Sequence, residues 1–378
     1  MAITFLLMLT VLRVNAESDR LGTVCDFSSL VLQDCEAVIE DRTFLSATKE
    51  IHNVKMELAC SENKDCLVIP DNHVLKMSNT NITCTSGSRG IGLRGGSLSM
   101  NLVTIDSCTE GIYASSAVSS PLPNLEIINC HFMNNGERAV NIDKASSVVI
   151  DGSNFFRNTF RNVSCGEGGA AIRISHAESV EISNSEFNGN TAENKELDIY
   201  GGAVYIDDSL SLIISNTTFV NNSVVGGEGS NCFAGGLLLF YTPAILDHVS
   251  FISNTATGGY ISVAGGLYLD NSNSKFINCQ FIDNTAIGSS TSLGGGMYLA
   301  MSSSEYISSC HFSDNRAMKG GMMYAYGTQH ITLETSTADG NMIDDIYCIS
   351  SEFYIDEKSA YNITNITQDS GCKIHGIP

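Results

Sequence analysis

The pattern of hydrophobic and polar positions repeats itself along most of the chain. The motif Phe-x-x-Asn occurs seven times, with Phe-to-Phe steps of 23, 32, 32, 32, 30 and 31 residues. Its phenylalanines are Phe132, Phe155, Phe187, Phe219, Phe251, Phe281 and Phe312. A pair of glycines followed by apolar residues recurs between these motifs, at Gly168–Gly169, Gly201–Gly202, Gly235–Gly236, Gly265–Gly266 and Gly295–Gly296, and once more after the last of them, at Gly320–Gly321. Recurrence at a nearly fixed spacing predicts a repeat architecture.

The positions before each Phe predict a pair of strands joined by a bend. An apolar residue occurs five positions before the Phe, and a small or apolar residue occurs two positions before it. Two inward columns three residues apart cannot lie on one straight strand, because the side chains of a strand alternate between its faces. We therefore expect a bend at the column between them, whose residue types tolerate unusual backbone angles. This column contains Asn129, Gly152, Asn184, Asn216, His248, Asn278 and Ser309.

The composition of the repeats indicates short strands rather than helices, because the repeats are rich in Ile, Val, Tyr, Phe and Thr. The shortest step, 23 residues, accommodates about three strands of 4–5 residues with their turns, which is one coil of a parallel β-solenoid. Longer steps add a loop between the Asn and the glycine pair. We expect successive coils to stack at roughly 4.8 Å, so that Phe packs on Phe and Asn hydrogen-bonds to Asn.

The repeat units also resemble those of known proteins. The segments FNGNTA…GGAVYI and FIDNTA…GGGMYL are similar to the repeats of the chlamydial polymorphic outer-membrane proteins. More broadly, they are similar to right-handed parallel β-helix repeats of the pectin-lyase-like class. The resemblance covers roughly residues 98–338 and implies an all-β, single-stranded, right-handed parallel β-helix, for which we expect about 8–10 coils. For the polymorphic proteins it also implies an adhesin role at a surface.

The sequence outside the repeats divides into three further segments. Residues 1–16 have an apolar run and a small-residue ending, which predict a signal peptide, with an interfacial or buried helix as the alternative. We expect residues 17–80 to form an N-terminal cap and irregular first coils, including a short capping helix at residues 30–39. Residues 81–340 are then the β-helix repeats, and residues 341–378 a closing coil and cap.

The charge of the chain excludes nucleic acid as a partner, and its sequons agree with a secreted glycoprotein. The chain has 20 Lys and Arg against 41 Asp and Glu, a formal net charge of -21, which repels phosphate backbones. After the signal peptide no stretch reaches the roughly 20 apolar residues that span a bilayer, so we expect no membrane insertion. Six N-glycosylation sequons, expected on the surface, occur at Asn81, Asn162, Asn216, Asn221, Asn362 and Asn365.

The thirteen cysteines agree with an oxidising, extracellular compartment. Ten of them are candidates for disulfides, although the sequence leaves the connectivity open. The candidate pairs are Cys25/Cys35, Cys60/Cys66, Cys84/Cys108 and Cys348/Cys372, which are local, and Cys165/Cys232, which lie in inserted loops. The remaining three, Cys130, Cys279 and Cys310, occupy the inward column two positions before the Phe, where a free thiol behaves as a small hydrophobe.

One feature of the repeats suggests a binding face. In the strand after the glycine pair, Tyr205, Tyr268 and Tyr298 lie between apolar neighbours, so alternation directs them outward. Tyr113 is placed at the equivalent position of an earlier coil. Such a row of rings suits stacking on sugars or on an apolar patch of a partner. Alternatively, the inserted loops fold over these tyrosines and make a second small core.

Signals for catalysis are weaker than those for binding. Asp207 and Asp208 are a paired acid after a strand, for which a turn exposed to solvent is the simpler explanation. Arg138 and Arg173 belong to the one concentration of basic residues, which surface ion pairs also explain. The sequence contains no motif for metal or cofactor binding. We therefore expect a non-catalytic scaffold or adhesin-like module that binds carbohydrate or a cell-surface protein, and the alternative is a polysaccharide lyase or glycoside hydrolase.

Overall fold

A computed structural model of the chain describes residues 25–26, 29, 31–40, 43–61, 64–85, 87–115, 121–161 and 167–377. The predicted signal peptide lies outside these residues. Within them the chain consists almost entirely of short strands and turns. Each strand pairs in parallel with the equivalent strand of the next coil, so the strands form four sheets that run along the axis of a solenoid.

Sheet A, the largest, has 24 strands, and most coils contribute one strand before the predicted bend and one after it. Its strands are Val31–Gln33, Glu36–Ile39, Lys49–His52, Lys55–Leu58, Val74–Cys84, Ser97–Asp106, Asn124–Ile128, His131–Met133, Ala145–Asp151, Asn154–Phe156, Ala177–Ser183, Glu186–Asn188, Leu212–Ser215, Thr218–Val220, Ala244–Asp247, Ser250–Ile252, Ser274–Ile277, Gln280–Ile282, Glu305–Ser308, His311–Ser313, Ile331–Glu334, Thr337–Asp339, Glu352–Asp356 and Lys373–Ile377.

Sheet B contains the strand that follows the glycine pair and has 13 strands in the described ranges. They are Thr43–Phe44, Asp65–Pro70, Arg89–Arg94, Glu110–Ala114, Arg138–Ile142, Ile172–Ser175, Val204–Asp207, Leu237–Phe240, Leu267–Asp270, Met297–Ala300, Met323–Tyr326, Ile346–Ile349 and Ile366–Gln368. The solenoid therefore has more coils than the eight to ten expected, because segments before and after the recognisable repeats also form regular strands.

Two smaller sheets are built from the segments between the Asn and the glycine pair. Sheet C follows the Asn directly and consists of Thr159–Phe160, Thr191–Asn194, Ser223–Gly226, Thr255–Gly258 and Thr285–Ile287. Sheet D consists of Ile199–Tyr200, Asn231–Phe233, Ile261–Val263 and Thr291–Leu293. The insertions predicted as loops are therefore ordered strands that continue the parallel pairing from coil to coil.

The bend predicted between the two inward columns is present in sheet A. All seven residues of that column have φ between 48° and 58°, in the left-handed region. The column includes two residues other than Asn and Gly, His248 and Ser309, with φ of 54° each. This conformation turns the strand so that both flanking columns face inward.

The core is a column of stacked phenylalanines, as the repeat predicts. The seven rings of the Phe-x-x-Asn motifs are fully buried. Consecutive ring centroids are 4.7–4.9 Å apart and consecutive rings are within 9° of parallel. Parallel coils in register thus place identical side chains on each other, and their spacing is that of a β-sheet.

The asparagines of the same motifs form a continuous ladder beside the phenylalanines. Each Nδ2 donates to the Oδ1 of the Asn in the next coil at 2.8–3.0 Å, from Asn135 to Asn341. Each Oδ1 also accepts the backbone N–H of the preceding Asn. The ladder satisfies polar groups at the turn, where backbone ladders cannot reach them.

The N-terminal segment corrects one expectation. Residues 30–39 were expected to be a capping helix, but the chain forms the strands Val31–Gln33 and Glu36–Ile39 there. Their inward residues, such as Leu32 and Ile39, are buried in the main core. Parallel pairing with the next coil outweighs the weak local preference of this apolar segment for a helix.

A short helix lies in the closing coils. Glu357–Asn362 begins at the N-cap Asp356, whose side chain accepts the N–H of Ser359. Ser359 and Ile363 are buried against the end of the core. None of the helices in the described part of the chain has the length and apolar character needed to cross a membrane.

The cysteines follow the expected division, with one exception. The four local pairs, Cys25–Cys35, Cys60–Cys66, Cys84–Cys108 and Cys348–Cys372, are disulfide-bonded, and Cys130, Cys279 and Cys310 are buried free thiols. Cys232 is also a free thiol, which corrects the expected Cys165–Cys232 pair, and Cys165 lies outside the described residues. The thiol of Cys232 is held between sheets C and D, where its Sγ lies 3.3 Å from the carbonyl oxygen of Thr257.

Candidate functional site

The candidate site is the outer face of sheet B, where alternation places one outward side chain at the middle of each strand. Parallel register aligns these side chains into a single column along the solenoid. From coil to coil the column contains Tyr113, Asn141, Arg173, Tyr205, Leu238, Tyr268, Tyr298, Tyr324 and Tyr347. The column thus brings the four tyrosines singled out in the sequence onto one face, and it adds two more.

The last four tyrosines of the column form a stack of nearly parallel rings. The ring centroids from Tyr268 through Tyr298 and Tyr324 to Tyr347 are separated by 5.0, 5.2 and 5.3 Å, with interplanar angles of 3–4°. The ring faces within the stack are therefore covered by the neighbouring tyrosine rings. Ring edges and hydroxyl groups, rather than ring faces, are what these side chains present to a ligand.

Sheet D covers the first part of the stack. Tyr205 and Tyr268 are each only 7% exposed and belong to a second hydrophobic cluster with Leu238 and Val263. Phe233 of sheet D packs edge-on against Tyr268, with ring centroids 5.7 Å apart. Burial raises the pKa of the Tyr205 and Tyr268 phenols far above the ordinary value. Tyr205 and Tyr268 therefore belong to a second small core, which was the alternative to a binding face.

The stack continues past the last strand of sheet D, where its cover is uneven, and Tyr324 is only 6% exposed. Three residues, Tyr298, Tyr324 and Tyr347, form what we call the open tyrosine row. Tyr298 and Tyr347 are half-buried, and the hydroxyls of Tyr298 and Tyr324 have no hydrogen-bond partner among the described residues. Burial of its ring raises the pKa of Tyr324 to about 12, so its hydroxyl is protonated and can donate at neutral pH.

The border of the open tyrosine row combines polar and apolar groups. The hydroxyl of Tyr347 donates to Asp369 at 3.0 Å, and the ammonium of Lys319 lies 4.6 Å from the centre of the Tyr347 ring. On the other side, Met301 and Tyr326 are 50% and 39% exposed. A mixed border of this kind is typical of surfaces that bind sugars or proteins.

Tyr113 lies apart from this row, in a different environment. The guanidinium carbons of Arg89 and Arg94 lie 5.2 and 5.3 Å from the centre of its ring. These two arginines pair in turn with the buried carboxylates of Glu110, at 2.9 Å, and Asp65. Tyr113 is therefore part of a buried ionic network in the early coils and is not continuous with the other tyrosines.

The two arginines of the alternative enzyme site hold the chain around Glu167. Arg138 is buried, donates to the carbonyl oxygens of Glu167 and Gly168, and lies 4.1 Å over the ring of Phe160. Arg173 donates to the Glu167 carboxylate at 2.7 Å. Both cations are thus engaged in positioning a loop.

The two aspartates of that site face different surroundings. Asp207 lies on sheet B beside Ser175 of the preceding coil, and burial raises the pKa of its carboxyl, although Ser175 and Arg173 oppose the shift. Asp208 is at the following turn, with φ of 48°, and lies 3.7 Å from His176. The structure therefore brings Arg173 and Asp207 together on adjacent coils and leaves Asp208 outside that cluster.

The described sequons lie on the surface, as expected. Asn81, Asn216, Asn221 and Asn365 are exposed and Asn362 is half-buried, whereas Asn162 lies outside the described residues. Asn216 and Asn221 occupy two turns of one coil, with φ of 48° and 53°. No cluster of three or more His, Cys, Asp or Glu side chains suited to a metal ion occurs in the described ranges.

Sequence reasoning missed two members of the open tyrosine row. Tyr324 follows Gly320–Gly321 at the same spacing by which Tyr205 follows Gly201–Gly202, so the glycine pair contained the signal. Tyr347 has no glycine pair before it, and only its pairing with Tyr324 places it in the column. Phe233 and Phe240, which cover the buried tyrosines, follow no repeat pattern.

A comparison with protein-family models agrees with this architecture. A family model described as "right handed beta helix region" matches residues 46–240 and 170–375, which together span most of the chain. Among solved structures, the chain is similar to the A-module of the mannuronan C-5 epimerase AlgE6 of Azotobacter vinelandii. That similarity has a TM-score of 0.36 and 13% sequence identity, over 88% of this chain and 91% of the module. The comparison with curated proteins gives no match.

Proposed function

The chain belongs to the right-handed β-helix family, and we propose that it uses this solenoid as a non-catalytic, extracellular binding scaffold whose ligand face is the open tyrosine row. The observation that carries the proposal is the set of hydroxyls on Tyr298 and Tyr324, which lie on a rigid stack with no partner among the described residues. Preorganised polar groups of this kind bind a ligand at little entropic cost.

The spacing of the row suggests the kind of ligand. Rings 5.0–5.3 Å apart present hydroxyls at intervals close to the length of one sugar residue. A glycan chain that runs along the solenoid would thus meet one phenol per coil. Arg138 and Arg173, which lie at least four coils before Tyr298 in sheet B, are engaged by the chain around Glu167, and the net charge is -21. Both points favour a neutral glycan, free or on a cell-surface protein, over an acidic one.

An extracellular location is part of the proposal. Four disulfides and exposed sequons are compatible with a secreted protein. The resemblance of the repeats to those of the chlamydial polymorphic proteins is in keeping with an adhesin-like role. Secretion is tested by N-terminal sequencing of protein from the culture medium, which should begin at residue 17.

The binding proposal is tested by removing hydroxyls without disturbing the stack. Binding to a panel of immobilised neutral and acidic glycans is measured for the unaltered protein and for Tyr298→Phe and Tyr324→Phe. Each hydroxyl that hydrogen-bonds to the ligand contributes about 0.5–1.5 kcal/mol, so each variant should bind about 2–12 times more weakly. Tyr361→Phe is the matched control, because Tyr361 is 85% exposed on the C-terminal helix. Equal binding by all four proteins would refute the role of the row.

A second candidate function is cleavage of a polysaccharide, by lyase or hydrolase chemistry. The observation that favours it is the buried position of Asp207 near Arg173, where burial raises the pKa of the Asp207 carboxyl, the direction in which a general acid is tuned. Purified protein is incubated with acidic and neutral polysaccharides, and unsaturated products and reducing ends are followed. Turnover that Asp207→Asn or Arg173→Ala abolishes and Asp208→Ala leaves intact would establish this function instead.

A further inference from the structure

A strip of exposed apolar side chains lies on the outer face of sheet A, away from the open tyrosine row. Ile213 and Ile245 are adjacent in register, and each is 42% exposed. At the corner where the chain enters this sheet, Leu210 and Tyr241 of the same two coils are 72% and 59% exposed. Contiguous exposed apolar side chains of this kind mark interaction surfaces.

Opposite charges flank the strip at its two ends. Glu181 pairs in register with Ile213 on one side, and Lys275 pairs with Ile245 on the other. Both are exposed, and neither forms an ion pair within the described residues. Along the solenoid axis the outward column therefore has the order acidic, apolar, apolar, basic. If a second copy faces this column with its coils in the reverse order, each charge meets the opposite charge and each apolar side chain meets an apolar one.

We propose that this strip is a dimer interface between two copies of the chain, packed face to face about a twofold axis parallel to the strands. Such an axis reverses the order of coils but keeps each column opposite itself. Ile213 then meets Ile245 of the second copy, and Glu181 meets Lys275 of the second copy. Each contact occurs twice.

The flanking residues agree with the same axis. Leu210 and Tyr241 lie on the same edge of the strip, so this axis brings each of them close to the corresponding edge of the second copy. One coil further out, the half-buried Val149 would meet Tyr306 of the second copy. An axis along the solenoid would instead place Glu181 against Glu181 and Lys275 against Lys275, and like charges across an interface cost several kcal/mol. The charge order thus selects one orientation.

The proposal is tested by charge reversal and restoration. Sedimentation of the protein, freed of N-glycans because the Asn216 sequon borders this face, is measured from low to high micromolar concentration. We expect a reversible dimer. Lys275→Glu and Glu181→Lys should each raise its dissociation constant at least about tenfold, because each places like charges together. The double variant, which exchanges the two charges, should restore the dimer.

The same sedimentation measurement provides the control and the results that would contradict the proposal. Lys195→Glu changes the charge of an exposed residue in an inserted segment and should leave the dimer unchanged, and circular dichroism should confirm that every variant is folded. A monomer at all concentrations would overturn the proposal. So would a dimer that the single reversals do not weaken, or a double variant that is no more dimeric than either single one.

Discussion

The asparagine ladder should be a major source of stability, and Asn222→Ala tests this in the middle of the solenoid. The side chain of Asn222 accepts hydrogen bonds from the backbone N–H and the Nδ2 of Asn190, both at 3.0 Å. It donates to the Phe187 carbonyl and to the Oδ1 of Asn254, both at 2.9 Å. The substitution therefore removes four hydrogen bonds at a fully buried position.

The expected cost follows from what each lost bond leaves behind. The backbone N–H of Asn190 loses its acceptor, and an unsatisfied buried group of this kind costs about 1–3 kcal/mol. The other three hydrogen bonds contribute about 0.5–1.5 kcal/mol each. The lower ends of these ranges add to about 2.5 kcal/mol. Although such terms are not strictly additive, we expect Asn222→Ala to lower the free energy of unfolding by about 2.5 kcal/mol or more.

The measurement is chemical denaturation followed by circular dichroism, with hydrogen exchange to locate the affected coils. Asn188→Ala is the matched control, because Asn188 lies on the outer side of the preceding coil and its amide donates only to the exposed Glu186. The control should change the free energy of unfolding by less than about 0.5 kcal/mol. If Asn222→Ala is no more destabilising than the control, the ladder is not what stabilises the turn.

Three further predictions concern buried groups. Burial raises the pKa of Glu305 well above its usual value, so the folded protein keeps a proton that the unfolded chain releases, and stability should fall as pH rises above about 4.3. Glu305→Gln should remove that fall. If the denaturation midpoints of the unaltered protein and of Glu305→Gln change in parallel with pH, the prediction is wrong. Cys84→Ala with Cys108→Ala opens a loop with a sequence separation of 24 and should cost about 3–4 kcal/mol in thermal unfolding. The thiols of Cys279 and Cys310, at most 1% exposed, should be alkylated only in denaturant, and labelling of the native protein would contradict their burial.

Features that recur in every coil could be predicted from the sequence. The stacked phenylalanines, the left-handed bend and the asparagine ladder follow from three residues per repeat, because parallel register forces equivalent positions into contact. Even His248 and Ser309 adopt the bend, although their residue types prefer it less than Asn does. Their neighbours in the adjacent coils impose the conformation.

Features that depend on contacts outside the repeat could not be predicted. The inserted segments have no shared motif, and only pairing with their equivalents in adjacent coils makes them the strands of sheet D. The burial of Tyr205 and Tyr268 depends on that sheet and was therefore left open. In the same way, the segment at Glu36–Ile39 is a strand because the next coil supplies a partner, and nothing in its own residues indicates this.

The ladder from Asn135 to Asn341 has a direction, since every amide donates toward the C-terminal end of the solenoid. Turning one amide around would bring two oxygens together on one side and two amino groups together on the other. The orientation is therefore a collective property that all members share or lose together. The side-chain amide dipoles of the ladder therefore point the same way and add along the axis of the solenoid. The two ends of the solenoid thus differ in electrostatic potential even where their side chains are alike.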